Sequence, residues 1–431
     1  MSDFDSHITV ELIEDAKDTK CEVKEITLDN HKLKIETPFK ILYGKKLTKN
    51  AVSQIVNDFK NPLFEIEKFC NKKSIELLSK KISNGDNYRT LSSAFNENFG
   101  LKQHLEDTFR INVIISCVFQ YYPINNITLR NNTPEYIRFK DDEYKAFLRY
   151  IHSSSTAFVL TPDVMLPQSG KRTFSIDEYI RFIDNSMEVL QSYNNKPIFV
   201  PVQIDLPMND LKKVLGHYKG NGFTNLWINF KAQKCERSHA SKLAIITDQI
   251  DNFFKRDEHV IYFSHMKQER DVTENETPAY EMFPPFRGAD FIGITRNQSF
   301  PPKSGDIDEI AVKKGFSDKY EYQSAVKLRK FSLFNADSYK YVIPSICSRD
   351  SIDEKLFESI QNDQSSCNLF NGILINNELR SVRKQITDTR IIRPYLESKS
   401  GVIDGMDVFS YALKTKSQIK KSYQKLIIRY R

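Results

Sequence analysis

The sequence predicts an α/β fold: a (β/α)8 barrel with a smaller α+β C-terminal extension. Three observations lead there. Between residues 30 and 300, short β-branched and aromatic runs alternate with longer, helix-like stretches. Most of these runs are continuously apolar, as strands buried on both faces are. The alternation ends near Pro301-Pro302-Lys303-Ser304-Gly305-Asp306, which reads as a linker or long loop. An open doubly wound sheet fits the same alternation, but eight units in about 270 residues match the size of a barrel.

The eight runs are His31–Leu42, Asn61–Phe69, Asn112–Phe119, Thr156–Leu160, Pro197–Ile204, Asn225–Phe230, His259–His265 and Ala289–Thr295. Between them, Ile176–Leu190 places apolar residues at helical spacing. Ser175 followed by Glu178 forms a capping box at its start. Asp210–Tyr218 and Ala240–Phe254 read similarly, and Gly220 and Gly222 stop the former. The stretch from 70 to 110 is too long for one crossover helix and reads as an insertion. The organisation expected is an N-terminal extension over 1–30, the barrel over 31–300, and a linker, a short strand at Tyr339–Pro344 and helices with a basic tail over 301–431. Leu369–Ile386 and Thr415–Tyr430 supply those last helices.

The chain has 431 residues, 40% hydrophobic and 28% charged, enough to build a core and to exclude disorder as the main state. No apolar run reaches the ~18–20 residues of a membrane span. The N-terminus lacks the basic-then-apolar order of a signal peptide, so a cytoplasmic location without membrane partners is expected. The six cysteines are scattered, with no CxxC pair, and the eight histidines form no HExxH. GxGxxG and the P-loop pattern are absent, so neither a cofactor nor a metal is expected. The net charge is +7, and Lys414, Lys416, Lys420, Lys421, Lys425, Arg429 and Arg431 follow Ala412 without an intervening acid. Such a tail can track a phosphate backbone, or simply be a solvated helix end.

In a barrel, chemistry sits at the C-terminal ends of the strands. Those ends offer Ser116-Cys117-Val118-Phe119-Gln120, Asp163, Gln203, Asp205, Asn229, His265 and Asp290. One ring, two amides and several carboxylates suit a flat, hydrogen-bonding ligand. Each also has a plainer structural role open to it: Phe119 as core, Gln120 and Gln203 as partners of backbone groups, Asp163 as a cap or turn residue, Asp290 as a buried structural acid, His265 as a structural histidine.

Several segments resemble the tRNA-guanine transglycosylase superfamily, (β/α)8 barrels that exchange guanine for a 7-deazaguanine. His31–Phe39 resembles its opening strand with Thr37-Pro38. Ser116-Cys117-Val118-Phe119-Gln120 is similar to its Asp-Ser-Gly-Gly-Phe/Tyr-Gln loop, Val202-Gln203 to its Val-Gln-Gly strand, and Gly288-Ala289-Asp290 to the start of its nucleophile strand. Asn371–Lys399, with Glu378, Arg383 and Tyr395-Leu396-Glu397, resembles its closing helix. The resemblance covers roughly 30–300 and 368–400. It implies that Phe119 stacks on a nucleobase, that Gln120 and Gln203 bond its edge, and that Asp163 lies near the base-recognising aspartate.

The departures bear on activity. The family needs one aspartate as nucleophile and one for proton transfer. Ile115 stands at the proton-transfer position and Gly293 at the nucleophile position. Asp290 is the nearest spare carboxylate, and its offset of three points it to the opposite face of a strand. The zinc ligands after the barrel are missing, since no histidine follows His265. Three readings follow. The first is a degenerate transglycosylase barrel that binds tRNA or DNA in a 7-deazaguanine pathway as the non-catalytic partner of an active paralogue. The second is an active, divergent base-exchange enzyme reusing Asp290, Asp163 or Asp205. The third is an unrelated barrel enzyme on a small molecule, with Asp163, Asp205 and His265 as its acid–base set.

Overall fold

The computed structural model describes residues 7–29, 32–45, 62–83, 96–97, 112–124, 138–165, 175–193, 195–235, 237–268, 273–297, 307–343 and 363–403. In chain order the strands are β1 Ile8–Asp15, β2 Glu22–Leu28, β3 Leu33–Thr37, β4 Phe39–Lys40, β5 Leu42–Tyr43, β6 Leu63–Cys70, β7 Asn112–Phe119, β8 Val159–Leu160 and β9 Asp163–Val164. They continue as β10 Ile198–Gln203, β11 Asn225–Asn229, β12 Val260–Ser264, β13 Met266–Gln268, β14 Glu276–Pro278, β15 Phe291–Ile292, β16 Thr295–Asn297, β17 Leu333–Asn335 and β18 Lys340–Val342.

Parallel pairings run β4-β15-β12-β11-β10-β8 on one side and β5-β6-β7-β9 on the other. Ile41 joins β4 to β5, and Thr161-Pro162 joins β8 to β9, where the proline lacks the donor that an unbroken ladder needs. Ile41 N–H still donates to Ile292 O (2.8 Å) and Thr161 N–H to Phe199 O (2.9 Å). The two arcs are therefore halves of one ring, and the described residues close an eight-stranded parallel barrel. The open-sheet alternative is excluded, because it would leave two edges.

The opening run is split. β3 pairs antiparallel with β2, and only Phe39 onward enters the barrel. The sheet β1-β2-β3 lays Ile26, Leu28, Leu33 and Ile35 against Ile41, Leu63, Ile114, Phe158, Phe199, Trp227 and Phe291, one apolar cluster that fills the barrel's N-terminal half. The outward strand residues form a second cluster with the surrounding helices. β7 shows the division: Ile114 and Val118 belong to the inner cluster, while Val113, Ile115, Cys117 and Phe119 belong to the outer one, as the two-residue period of a strand requires.

Helix Ile176–Gln191 begins with the expected capping box, with Glu178 N–H donating to Ser175 Oγ (3.2 Å). The closing helix, Gln364–Thr389, crosses the first strand. There Asn376 clamps the Lys40 backbone, accepting from its N–H and donating to its carbonyl, both at 2.8 Å. After residue 330, β17 and β18 join β14 in a small antiparallel sheet. The expected helix at Thr415–Tyr430 and most of the 70–110 insertion lie outside the described residues; the helix Lys72–Ser83 is the described part of that insertion beyond β6, with residues 96–97. No described helix is long and apolar enough to cross a membrane.

Candidate functional site

The inward face of β6 carries a carboxylate in an apolar strand, Leu63-Phe64-Glu65-Ile66. Glu65 is fully buried. Its Oε2 accepts from Ile294 N–H at 2.7 Å and from the Tyr262 hydroxyl, while Oε1 lies 3.3 Å from His265 Nε2. Burial alone would push this carboxyl up. The hydrogen bond and charge of His265, with the hydroxyls of Ser116 and Tyr262, outweigh it and hold Glu65 below its ordinary range.

Ser116, inward on β7, places Oγ 2.8 Å from the same His265 Nε2. The other imidazole nitrogen, Nδ1, lies 3.2 Å from Asn229 Oδ1. That amide is oriented by its neighbours: Oδ1 accepts from Lys231 N–H (2.9 Å) and Nδ2 donates to Asp163 Oδ2 (2.7 Å). An amide oxygen facing Nδ1 fixes a proton on Nδ1, so Nε2 is the nitrogen turned toward Ser116 and Glu65.

Asp163 ends this chain. Its Oδ1 accepts from Val164 N–H (2.8 Å), the Tyr179 hydroxyl (3.0 Å) and Gln203 Nε2 (2.9 Å). Burial raises the Asp163 carboxyl, and Asn229, Gln203, Lys231 and Tyr179 oppose the rise. Gln203 Nε2 also reaches Val164 O at 2.6 Å, while Gln203 Oε1 has no hydrogen-bond partner among the described residues. A polar chain thus crosses the barrel from Tyr262 through Glu65, His265 and Asn229 to Asp163.

The backbone is strained where this chain meets the strand ends. Lys231 (φ +53°), Ala232 (φ +58°) and His265 (φ +62°) occupy the left-handed region. Such residues cost of order 1–3 kcal/mol each and cluster at functional sites. Ala232 N–H donates to His265 O at 2.9 Å, tying two of the three together.

The sequence-predicted residues fall into two groups. Asp163 and Gln203 are brought together in a direct hydrogen bond, and Asp163 is linked to His265 through Asn229. Asp205 stands half-buried beside them, 3.0 Å from Lys231 Nζ. Gln120 is exposed just past β7. Phe119 is corrected: it points outward and is fully buried against Phe139, Tyr144, Phe147 and Phe182, so it offers no face to a base at the barrel mouth. Its parity is opposite to that of Ser116, and a strand cannot turn both inward. Asp290 is corrected as well. It precedes β15 at the barrel's N-terminal end, with Lys24 Nζ at 3.2 Å and Ile261 N–H donating to it at 2.8 Å. Ile115 faces outward too, so no inward carboxylate is missing there. Lys414, Lys416, Lys420, Lys421, Lys425, Arg429 and Arg431 lie outside the described residues.

Sequence reasoning missed Glu65 and Tyr262, and used Ser116 only as part of a motif. The available signal was a lone acid inside an apolar run, at a position that strand parity makes inward. Among the described residues no group of three or more His, Cys, Asp or Glu is placed to hold a metal ion.

No family model matches the sequence, and no curated protein matches it. Solved structures do. The Cellulomonas fimi endo-beta-1,4-mannanase double mutant is similar at 13% identity and a TM-score of 0.35, over 67% of this chain and 71% of that one. A GH26 beta-mannanase from Bacteroides ovatus is similar at 11% identity and 0.35, over 60% and 80%. The carboxyl transferase domain of Rhizobium etli pyruvate carboxylase is similar at 11% and 0.33, over 83% and 52%. At these values the likeness carries no functional argument, and the barrel assignment rests on the strand pairing.

Proposed function

We propose that this chain is a barrel enzyme performing general acid–base chemistry on a small polar molecule bearing a hydroxyl or carbonyl group. One observation carries the reading: His265 Nε2 lies 2.8 Å from Ser116 Oγ and 3.3 Å from Glu65, while Asn229, itself held by Asp163, holds Nδ1. A base within hydrogen-bond reach of a hydroxyl, oriented by a third group, is the arrangement that moves protons. Nε2 of His265 carries the transferred proton, Ser116 relays it between Nε2 and the substrate, and the ionised Glu65 stabilises the imidazolium. The unpartnered Gln203 Oε1 accepts from the substrate. Turnover of a panel of sugars, hydroxy acids and their esters, followed by proton NMR, tests it. A substrate found this way loses at least about 100-fold in rate with His265→Gln, measured at a temperature where that variant is still fully folded. Turnover insensitive to both His265→Gln and Glu65→Gln overturns the reading.

A transglycosylase-like role keeps one specific support, the Asp163–Gln203 hydrogen bond at the positions where the resemblance put base recognition. Under that reading the chain binds tRNA or DNA, alongside an active paralogue. Phe119 and Asp290 lend it neither a stacking platform nor a nucleophile. Binding of bulk tRNA and duplex DNA between 50 and 200 mM salt, at about these concentrations, separates the two readings, because phosphate contacts weaken steeply over that range. A denaturant-resistant adduct with nucleic acid favours the base-exchange role.

A further inference from the structure

Lys40 lies on the outward face of the first barrel strand, beneath the helix Gln364–Thr389. It lines a cavity of about 40 Å3 together with Tyr43, Thr295, Glu281, Tyr341 and Asn368. That volume holds about three waters, or a ligand of a few heavy atoms. Only 6% of Lys40 is exposed. Among the described residues its Nζ donates a single hydrogen bond, to Gly293 O at 2.6 Å, and makes no ion pair. The carboxylate of the cavity, Glu281, is engaged by the Tyr341 hydroxyl. Burial lowers the Lys40 ammonium from its ordinary range and outweighs Glu281 and Glu65, which pull the other way. An amine so placed is neutral more often than a surface lysine and is nucleophilic when neutral.

We propose that the Lys40 cavity is a carbonyl-binding site, where the Lys40 amine condenses with a small aldehyde or ketone to form an imine. The nitrogen lone pair bonds the carbonyl carbon, and the carbonyl π electrons move to oxygen, which takes up a proton. Nitrogen then releases one proton, the new hydroxyl takes up a second proton and leaves as water while the nitrogen lone pair forms the C=N bond, and nitrogen releases its last proton, so that one carbonyl and one primary amine become one imine and one water. The Glu281–Tyr341 pair lines the same cavity and is placed to pass the proton. The site lies on the outward face of the barrel wall, and the His265 centre on the inward face.

The test is reductive trapping on the full chain with glycolaldehyde and cyanoborohydride at pH 7, with each lysine read by peptide mass spectrometry. Lys34 and Lys255 are the internal references, both exposed and both paired with a carboxylate. The expected result is labelling of Lys40 severalfold faster than either, because burial leaves more of its amine neutral. Tyr341→Phe slows labelling at Lys40 and leaves Lys34 unchanged. Labelling of Lys40 at or below the reference rate, with the same peptide readily labelled after unfolding in urea, overturns the proposal. The wild-type ratio decides the matter even where Tyr341→Phe fails to fold.

Discussion

The Glu65 carboxylate fills the space that a side chain at position 293 would need. A Cβ on Gly293 would sit 2.5 Å from Glu65 Oε2 and 2.5 Å from Ser264 Cβ, with the Tyr262 hydroxyl closer still. The glycine at the position where the resemblance expects a nucleophilic aspartate is thus a packing requirement. The carboxylate that belongs to this part of the barrel arrives from β6 instead. Gly293→Ala is expected to destabilise the protein by about 1–3 kcal/mol through overpacking, read as a lower urea midpoint at an unchanged m-value. Gly293→Ala in a Glu65→Ala background should recover part of that loss, and additive effects would refute the shared-space account.

Asp163 satisfies four donors at once, so its replacement leaves more than one buried group unpaired. Asp163→Asn retains the shape but turns an amide NH group toward donors from Asn229 or Gln203. The expected loss is about 3 kcal/mol. Tyr179→Phe removes one donor of the four and should cost no more than about 1 kcal/mol. Urea denaturation of both variants orders them, and equal losses would show that Asp163 does not act as the hub.

The barrel was legible because its strands are buried on both faces. Asn112–Phe119 matches β7 residue for residue, and Pro197–Ile204, Asn225–Phe230 and His259–His265 each contain their strand. The first run misled, because β3 and β4 are contiguous in sequence across Thr37-Pro38 but belong to different sheets. Only pairing partners distant in sequence separate them. Within the site, Asp163, Gln203, Asn229 and His265 were legible as polar residues ending apolar runs. Phe119 and Asp290 were misplaced by motif likeness, which fixes residue type and leaves open which face or which end of the barrel a residue occupies. Strand parity counted from Ser116 settles Phe119, and Asp290 stands before its strand begins. Glu65 sits mid-strand, so a search of strand ends could not find it.

His152 predicts a pH dependence. It is 5% exposed, lies 4.7 Å from the Tyr193 ring at a tilt of 35°, and is pushed down to about 4 by burial and by the Lys196 ammonium. The unfolded chain takes up this proton near pH 6.5, and the folded chain only near 4. The resulting stability is complete above pH 6.5 and is lost as pH falls from 6.5 toward 4, with a slope of at most about 1.4 kcal/mol per pH unit. Urea denaturation at pH 7.5 and pH 5 should show the wild type losing up to about 2 kcal/mol more than His152→Gln. Parallel losses in the two proteins would mean that His152 titrates alike in both states.

Phe119 separates the packing role from the stacking role. Its ring lies 5.5 Å from Phe147 and 6.1 Å from Phe139, edge-on to the latter, inside the layer between β7 and its helices. Phe119→Ala should therefore cost about 3–5 kcal/mol, the range for a large ring removed from a packed core. Phe119→Leu, which refills most of the volume, should cost clearly less. A base platform behaves differently: Phe119→Leu would leave stability nearly intact and weaken nucleic-acid affinity by the ~1–3 kcal/mol of one lost stack. Calorimetric melting and tRNA titration on the same Phe119→Leu preparation decide between them. A lowered melting temperature with unchanged affinity fits the ring's burial among Phe139, Tyr144, Phe147 and Phe182, whereas unchanged melting with weakened affinity would require the ring to leave that layer and turn to the barrel mouth.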